Sequence, residues 1–230
     1  MDFSRFTTIS FDCYGTLIDW ESGLLPCLRE ILSAHGLNLP DGSILELYGD
    51  FEAEAEQGDY QTYRDVLESV VKKFGGHCGF EPAPAELRSL HESISAWRPF
   101  PDTILALRRL HERYRLAVIS NIDDDLFAET QRHLGIEFDG VITAQQASSY
   151  KPALSNFRLA LRRLDLEPGA LLHAAQSIYH DVVPAKSLGI ASVWVNRTSA
   201  RPGVGAVRAA EGRPDLVVPD VATLAALTVR

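Results

Sequence analysis

Thr7-Thr8-Ile9-Ser10-Phe11-Asp12-Cys13-Tyr14-Gly15-Thr16-Leu17 is the stretch that decides how the chain is read. Thr7 to Phe11 is a short apolar and β-branched run, which predicts a buried strand. It stops at an acid, Asp12, and a tight turn follows at Gly15. Open α/β sheets bind ligands just beyond the carboxyl ends of their strands. A carboxylate held there by a rigid strand is placed to act on a substrate. A lone Asp12 could equally cap the next turn, so the rest of the chain has to decide.

Downstream, leucines and isoleucine from Leu24 to Leu32 recur at helical spacing across 21–34, closed by Gly36. Ser43-Ile44-Leu45-Glu46 has the form of a capping box and predicts a second helix ending near Gly58. A third helix is expected over 60–74, stopped by Gly75-Gly76, and a fourth over 85–96. Four helices without an intervening strand predict a helical cap. Arg98-Pro99-Phe100-Pro101 is a stiff connector. After it, helices alternate with strands at 116–120, 141–143, 171–174, 191–195 and 216–218. That alternation predicts an α/β fold, a doubly wound parallel sheet covered on both faces. The expected division is a core of residues 1–15 and 99–230 and a cap of 16–98. Thr198 to Pro214 reads as an exposed loop.

Composition narrows the function. The 230 residues, 46% hydrophobic and 23% charged, are those of an ordinary globular protein. No apolar run approaches eighteen residues, so no membrane partner is expected. The N-terminus has no basic region followed by an apolar segment, and three cysteines lack framework spacing. Both features predict a cytoplasmic protein. A net charge of −9 argues against a nucleic-acid partner, which demands basic patches.

Three more strand ends carry chemistry. Ser120-Asn121 places a hydroxyl and an amide at the level of Asp12, able to donate to an anionic group. Lys151, followed by Pro152, can reach back to keep Asp12 ionised. The fourth strand runs into Gln176-Ser177-Ile178-Tyr179-His180-Asp181, where Asp181 supplies a second carboxylate. Two carboxylates allow one to act as nucleophile and one to activate water.

Asp12, Ser120, Lys151 and Asp181, in that order and strand context, resemble the four motifs of the haloacid dehalogenase superfamily. The resemblance implies an α/β core of that type, Asp12 as nucleophile, and Thr16, Ser120, Lys151 and Asp181 as its catalytic partners. Tyr14, Trp20, Asn121, Gln176 and Ser177 would contact a small carboxylic acid substrate. Phosphatases of the superfamily usually carry a second acid where this chain has Tyr14, and a Gly-Asp pair where it has Ala175-Gln176. Mg²⁺ wants carboxylate oxygens, so no metal and no cofactor are expected. The string Asp-x-Tyr-Gly-Thr resembles the metal-independent L-2-haloacid dehalogenase branch. Phe11 to Glu21, Ser120-Asn121-Ile122-Asp123, Ser149-Tyr150-Lys151-Pro152 and Tyr179-His180-Asp181 further resemble the azetidine-2-carboxylate hydrolases. A homodimer is compatible with the resemblance. A Mg²⁺-dependent phosphatase and a silent binding protein on the same scaffold are the competing readings.

Other residues have plainer expectations. Cys13 should point away from Asp12 and be buried, because strand neighbours alternate. His180 reads as a rim residue and His173 as a satisfied core histidine. Asp123-Asp124-Asp125 should cap the following helix; a metal-dependent alternative would call on the same acids. In the cap, the dehalogenase branch places an arginine over the substrate, and alignment of 44–48 puts Gly49 there. Between Arg29 and Arg64 there is no Lys or Arg, while Glu30, Asp41, Glu46, Asp50, Glu52, Glu54, Glu56 and Asp59 are acidic. Most of these are expected on a solvated helix face. Such a cap would receive an ammonium leaving group better than an anion, unless Arg64 swings in to contact the substrate.

Overall fold

In the computed structural model, which describes residues 1–197, 206 and 210–229, six strands form one parallel sheet. They are β1 (Thr8–Phe11), β2 (Arg115–Ser120), β3 (Gly140–Thr143), β4 (Leu171–Ala175), β5 (Ala191–Val195) and β6 (Leu216–Val218), in the order β3-β2-β1-β4-β5-β6. The chain builds outward from β1 to β3 on one side, then crosses to build β4 to β6 on the other. The reversal falls beside β1, which pairs with both β2 and β4. Asp12 therefore leaves the sheet at its topological switch point, where the crevice between diverging connections opens.

Neighbouring residues of a strand serve opposite layers. Leu116 and Val118 of β2 join one apolar core, whereas Ala117 and Ile119 join another with Ile142, Phe157 and Leu164. Burial on both faces is why these strands read as continuous apolar runs.

After β1 come the four helices of the cap, α1 (Trp20–Ala34), α2 (Asp41–Ala55), α3 (Tyr63–Cys78) and α4 (Pro84–Ser93), followed by a 3₁₀ turn at Ile94–Ala96. Their apolar stripes pack on one another through Leu24, Leu28, Ile44, Leu45, Val66, Val70 and Leu90, all buried. The two passages between this layer and the sheet run side by side. Asp19 donates its amide to the Arg98 carbonyl and Phe100 donates to that of Leu17. Arg197, just after β5, anchors the junction. Its Nε donates to the Thr16 carbonyl at 2.9 Å, and its guanidinium pairs with Asp102 and stacks on Phe100.

The core continues with α5 (Thr103–His111), α6 (Asp124–Leu134), α7 (Ala144–Ala147), α8 (Leu154–Leu164), α9 (Val183–Ser187) and α10 (Val221–Thr228). A single π-helical turn at Ile178–Val182 precedes α9. Among the described residues no helix is long and apolar enough to cross a membrane. The exposed loop expected over 198–214 lies mostly outside the described residues.

Several local expectations are corrected. Ser43 does not cap α2, which starts two residues earlier behind Pro40 and ends at Ala55. Pro40, at φ −61°, is already set for helix entry and puts Ser43 inside the first turn. Gly75-Gly76 does not stop α3, which runs on to a left-handed Gly79 at φ +82°. The chain turns back over Gly75, whose missing Cβ leaves room for the Phe80 carbonyl and the Pro82 ring. Asp123 makes no side-chain cap for α6. Its carboxylate crosses instead to the N-terminus of α3, accepting from the amides of Tyr63 at 2.9 Å and Arg64 at 3.1 Å. Asp124 accepts from Thr143 and Gln146.

Candidate active site

The two oxygens of Asp12 are held by different partners. Thr16 Oγ1 donates to Oδ2 at 2.7 Å, and Lys151 Nζ donates to Oδ1 at 2.9 Å. The turn that brings Thr16 back over Asp12 needs Gly15, at φ +90°, where an added Cβ would crowd Trp20 and Gln176. Thr16 Oγ1 also accepts from the amide of Gln176, which ties the ends of β1 and β4 together.

Lys151 is the hub. It is 1% exposed, and its three donors go to Asp12, to Asp181 Oδ1 at 2.7 Å and to the Ile119 carbonyl at 2.9 Å. Asn121 sets its backbone, accepting from Lys151 N at 2.7 Å and donating to the Lys151 carbonyl. The two flanking carboxylates hold the ammonium above its ordinary pKa despite the cost of burial. Burial also works against an ionised Asp181, but Lys151 and His173 outweigh it and hold that carboxyl at about 2. Asp12 goes the other way: burial, helped by the charge on Asp181, outweighs Lys151 and Thr16 and raises it.

Behind Asp181 stands His173 of β4, fully buried, with both ring nitrogens engaged. Nε2 lies 3.0 Å from Asp181 Oδ1 and Nδ1 lies 2.8 Å from Ser10 Oγ. Lys151 and His173 converge on Oδ1, and among the described residues the buried Asp181 Oδ2 has no hydrogen-bond partner. Ser120 Oγ is likewise buried and without a partner among the described residues. Cys13 is fully buried, and burial pushes its thiol up, away from thiolate chemistry.

These groups floor a small cavity of about 60 Å³. Asp12, Ser120, Asn121, Lys151, Gln176, Ser177 and Asp181 line it from the strand ends, with Tyr14 and Trp20 at the side. Tyr14 turns its hydroxyl onto Thr130 at 2.8 Å, and Trp20 packs edge-on against Tyr48. Ser177 caps the π-helical turn by accepting from the His180 amide, and His180 also lines the cavity. Arg64 does not. It pairs with Asp125 at 2.7 Å on a partly exposed surface, because Asp123 has drawn the start of α3 onto α6. The expected substrate contact of Arg64 is corrected accordingly.

The roof is made by Glu52 of α2, Glu56 just after it and Tyr63 of α3; the two glutamates are among the acids expected mostly on a solvated face. Tyr48 and Tyr63 both donate to Glu52 Oε1, at 2.9 and 2.6 Å, and Asn121 donates to Glu56 Oε1 at 3.3 Å. Burial raises the pKa of Glu52. It raises Glu56 further, with Glu52 adding to the effect. A signal for them existed: Tyr48, Glu52 and Glu56 recur every four residues, on the stripe that also carries Ile44, Leu45 and Ala55. The last piece of the lining is Ala206, whose amide donates to Glu21 and whose carbonyl rests on Gly49, where a Cβ would collide with it.

A rigid strand-end carboxylate, a buried lysine and a second carboxylate thus lie together under a helical roof. Comparison with known proteins identifies the family. The haloacid dehalogenase-like hydrolase family model matches residues 6–189. The chain belongs to this family of hydrolases. It is 26% identical over 200 residues to the (S)-2-haloacid dehalogenase H-109 of Pseudomonas putida, covering 84% of this chain and 86% of that one. A crystal structure of an L-2-haloacid dehalogenase superposes with a TM-score of 0.81 at 27% identity, over 96% of this chain and 98% of the other. A glyceraldehyde 3-phosphate phosphatase of Methanocaldococcus jannaschii is 32% identical over 156 residues, 60% of this chain and 68% of its own.

The magnesium site implied by the phosphatase branch of this family does not fit these residues. A hard divalent cation needs about six oxygens, yet Asp12 and Asp181 both spend an oxygen on Lys151. Tyr14 stands where a second acid would be, with its hydroxyl on Thr130. Among the described residues no group of three His, Cys, Asp or Glu side chains could hold a metal ion.

Proposed function

We propose that this hydrolase works without a metal, displacing a leaving group from C2 of a small 2-substituted carboxylic acid through an Asp12 ester. The observation that carries the reading is Lys151, whose buried ammonium bridges Asp12 and Asp181 and takes an oxygen from each. An Asp12 oxygen attacks C2 from the face opposite the leaving group, so the configuration there inverts. In the ester, the oxygen that keeps Lys151 becomes a polarised carbonyl. The same ammonium then stabilises the oxyanion that forms when water adds to the Asp12 carbonyl carbon. Asp181, ionised and with Oδ2 unspent, accepts a hydrogen bond from that water and orients it. Confinement under the cap could supply roughly 7–11 kcal/mol of the barrier reduction.

Within this class we lean to L-azetidine-2-carboxylate, opened to 2-hydroxy-4-aminobutyrate, over L-2-haloacids. The support is the roof: Gly49 stands at the position of the dehalogenase arginine, and Arg64 is committed to Asp125. A substrate panel of L-2-chloropropionate, L-azetidine-2-carboxylate and p-nitrophenyl phosphate, run with and without chelator, tests the reading. The expected result is turnover of a 2-substituted acid, insensitive to chelator, with no phosphate release. Strictly Mg²⁺-dependent phosphate release would transfer the protein to the phosphatase reading suggested by the archaeal relative.

A further inference from the structure

We propose that Glu52 and Glu56 form an ammonium subsite in the roof of the cavity, which binds the amine displaced from C2 and protonates it. The inference rests on the C2-displacement reading above and assigns the group that leaves. It begins with helix rotation. Of the acids on α2, Glu46, Asp50 and Glu54 are exposed, and Glu54 pairs with Lys73 at 2.8 Å. Glu52 and Glu56, one turn apart, face the cavity instead. Glu52 is fixed there by two tyrosine hydroxyls, and Glu56 by Asn121, whose backbone-lysine contacts belong to the catalytic floor.

Charge bookkeeping favours a zwitterion. The described lining holds four carboxyl groups, those of Asp12, Asp181, Glu52 and Glu56, against Lys151 and His180, and no arginine. Lys151 is already spent on the floor carboxylates. A haloacid anion brings a net negative charge beside the floor carboxylates Asp12 and Asp181, which already take up Lys151 between them, and like charges repel strongly in a buried space. An imino acid zwitterion brings none. The second, independent observation is Ser120: its Oγ is buried, lines the same cavity and has no partner among the described residues. An unspent hydroxyl donor on the floor suits a substrate carboxylate, and carboxyl groups in the roof suit an ammonium. The cavity thus has the polarity of an amino acid lying across it.

The step balances. An Asp12 oxygen bonds to C2 as the C2–N bond breaks, and the bonding pair stays on nitrogen. The ring NH₂⁺ becomes a neutral primary amine, which takes the proton of a Glu56 carboxylic acid and rests as ammonium between the two glutamates. Water then adds to the Asp12 carbonyl carbon, the C2 alcohol leaves with the ester oxygen, and the proton that water gives up restores Glu56. Burial, with Glu52 adding to it, raises Glu56 above the ordinary glutamate range, and its place in the roof beside Asn121 sets it to carry that proton.

Two ratios test the subsite: kcat/KM for L-azetidine-2-carboxylate over L-2-chloropropionate, and the inhibition constant of butyrate over that of 4-aminobutyrate. Both should favour the nitrogen compound by at least tenfold in the wild type. Glu52→Gln and Glu56→Gln should each lower both ratios at least tenfold, and Glu56→Asp should restore part of the loss. Ratios within twofold of wild type in both glutamine variants overturn the subsite, as does a wild type that turns over chloropropionate but never opens azetidine. A wild type inert on both acids refutes the displacement reading, and the subsite then stands or falls on the inhibitor ratio. If the glutamine variants do not fold, the wild-type inhibitor ratio decides alone, and a value below two overturns the inference.

Discussion

The floor and the roof of the cavity each carry a pair of carboxyl groups, and of the four only Asp181 is held below its ordinary range while Asp12, Glu52 and Glu56 are raised. On the floor, Asp12 and Asp181 share one buried ammonium, which holds Asp181 at about 2 and keeps Asp12 within reach of ionisation. In the roof, Glu52 accepts from two tyrosines and Glu56 from Asn121, neither forms an ion pair among the described residues, and burial raises both. Burial alone pushes every carboxyl toward neutrality. Asp181 differs from the other three in taking both Lys151 and His173 on one oxygen. The difference teaches that carboxyl groups in one cavity are told apart by how many donors converge on each against the same cost of burial.

The largest effect expected is on the floor. Asp12→Asn should lower kcat by about 10⁴-fold or more, since loss of a covalent nucleophile leaves only binding and orientation. In ¹⁸O-water a single wild-type turnover should label Asp12 before product, and label arriving in product first would sink the ester.

Lys151→Met breaks the comparison at its hub, leaving two buried carboxylates without their cation. Its cost should be about 3–5 kcal/mol of stability by urea unfolding at pH 7, falling as pH drops and the orphaned carboxylates take up protons. A variant as stable as wild type at pH 7 would mean the pair is not ionised there.

Gly49→Ala probes the roof without touching a carboxyl. A Cβ would strike the Ala206 carbonyl, so overpacking should cost about 1–3 kcal/mol in thermal or urea unfolding. No change would show that the Ala206 contact is not maintained in solution.

The smallest effect sharpens the electrostatic contrast. Because Asp12 is raised above 3.8, its ionised, nucleophilic form is lost as pH falls through that higher value. The acid limb of kcat/KM should therefore lie above the ordinary aspartate range. A limb at or below pH 3.8 would mean that Lys151, rather than burial, dominates Asp12.

How far the sequence carries can be argued from single residues. Asp12, Lys151 and Asp181 were legible because each follows a strand, and a parallel sheet brings strand ends to one rim. Asp123 was misread because capping is a local habit, whereas its real partners, the amides of Tyr63 and Arg64, are sixty residues away in sequence. Arg64 was misplaced for the same reason, since that cap draws it onto Asp125.

What the sequence determined by itself is what depends on short range: apolar runs that must be strands, an acid directly after the first of them and another in the turn beyond the fourth, and alternation that forces a parallel sheet. What only the tertiary structure decided is which way α2 turns. Glu46, Glu52, Glu54 and Glu56 are chemically alike along the chain. Packing of Ile44, Leu45 and Tyr48 against the rest of the cap rotates Glu52 and Glu56 into the cavity and leaves Glu46 and Glu54 in water. A helix presents its acids on every side, and only the surface it packs against determines which of them lose their solvent.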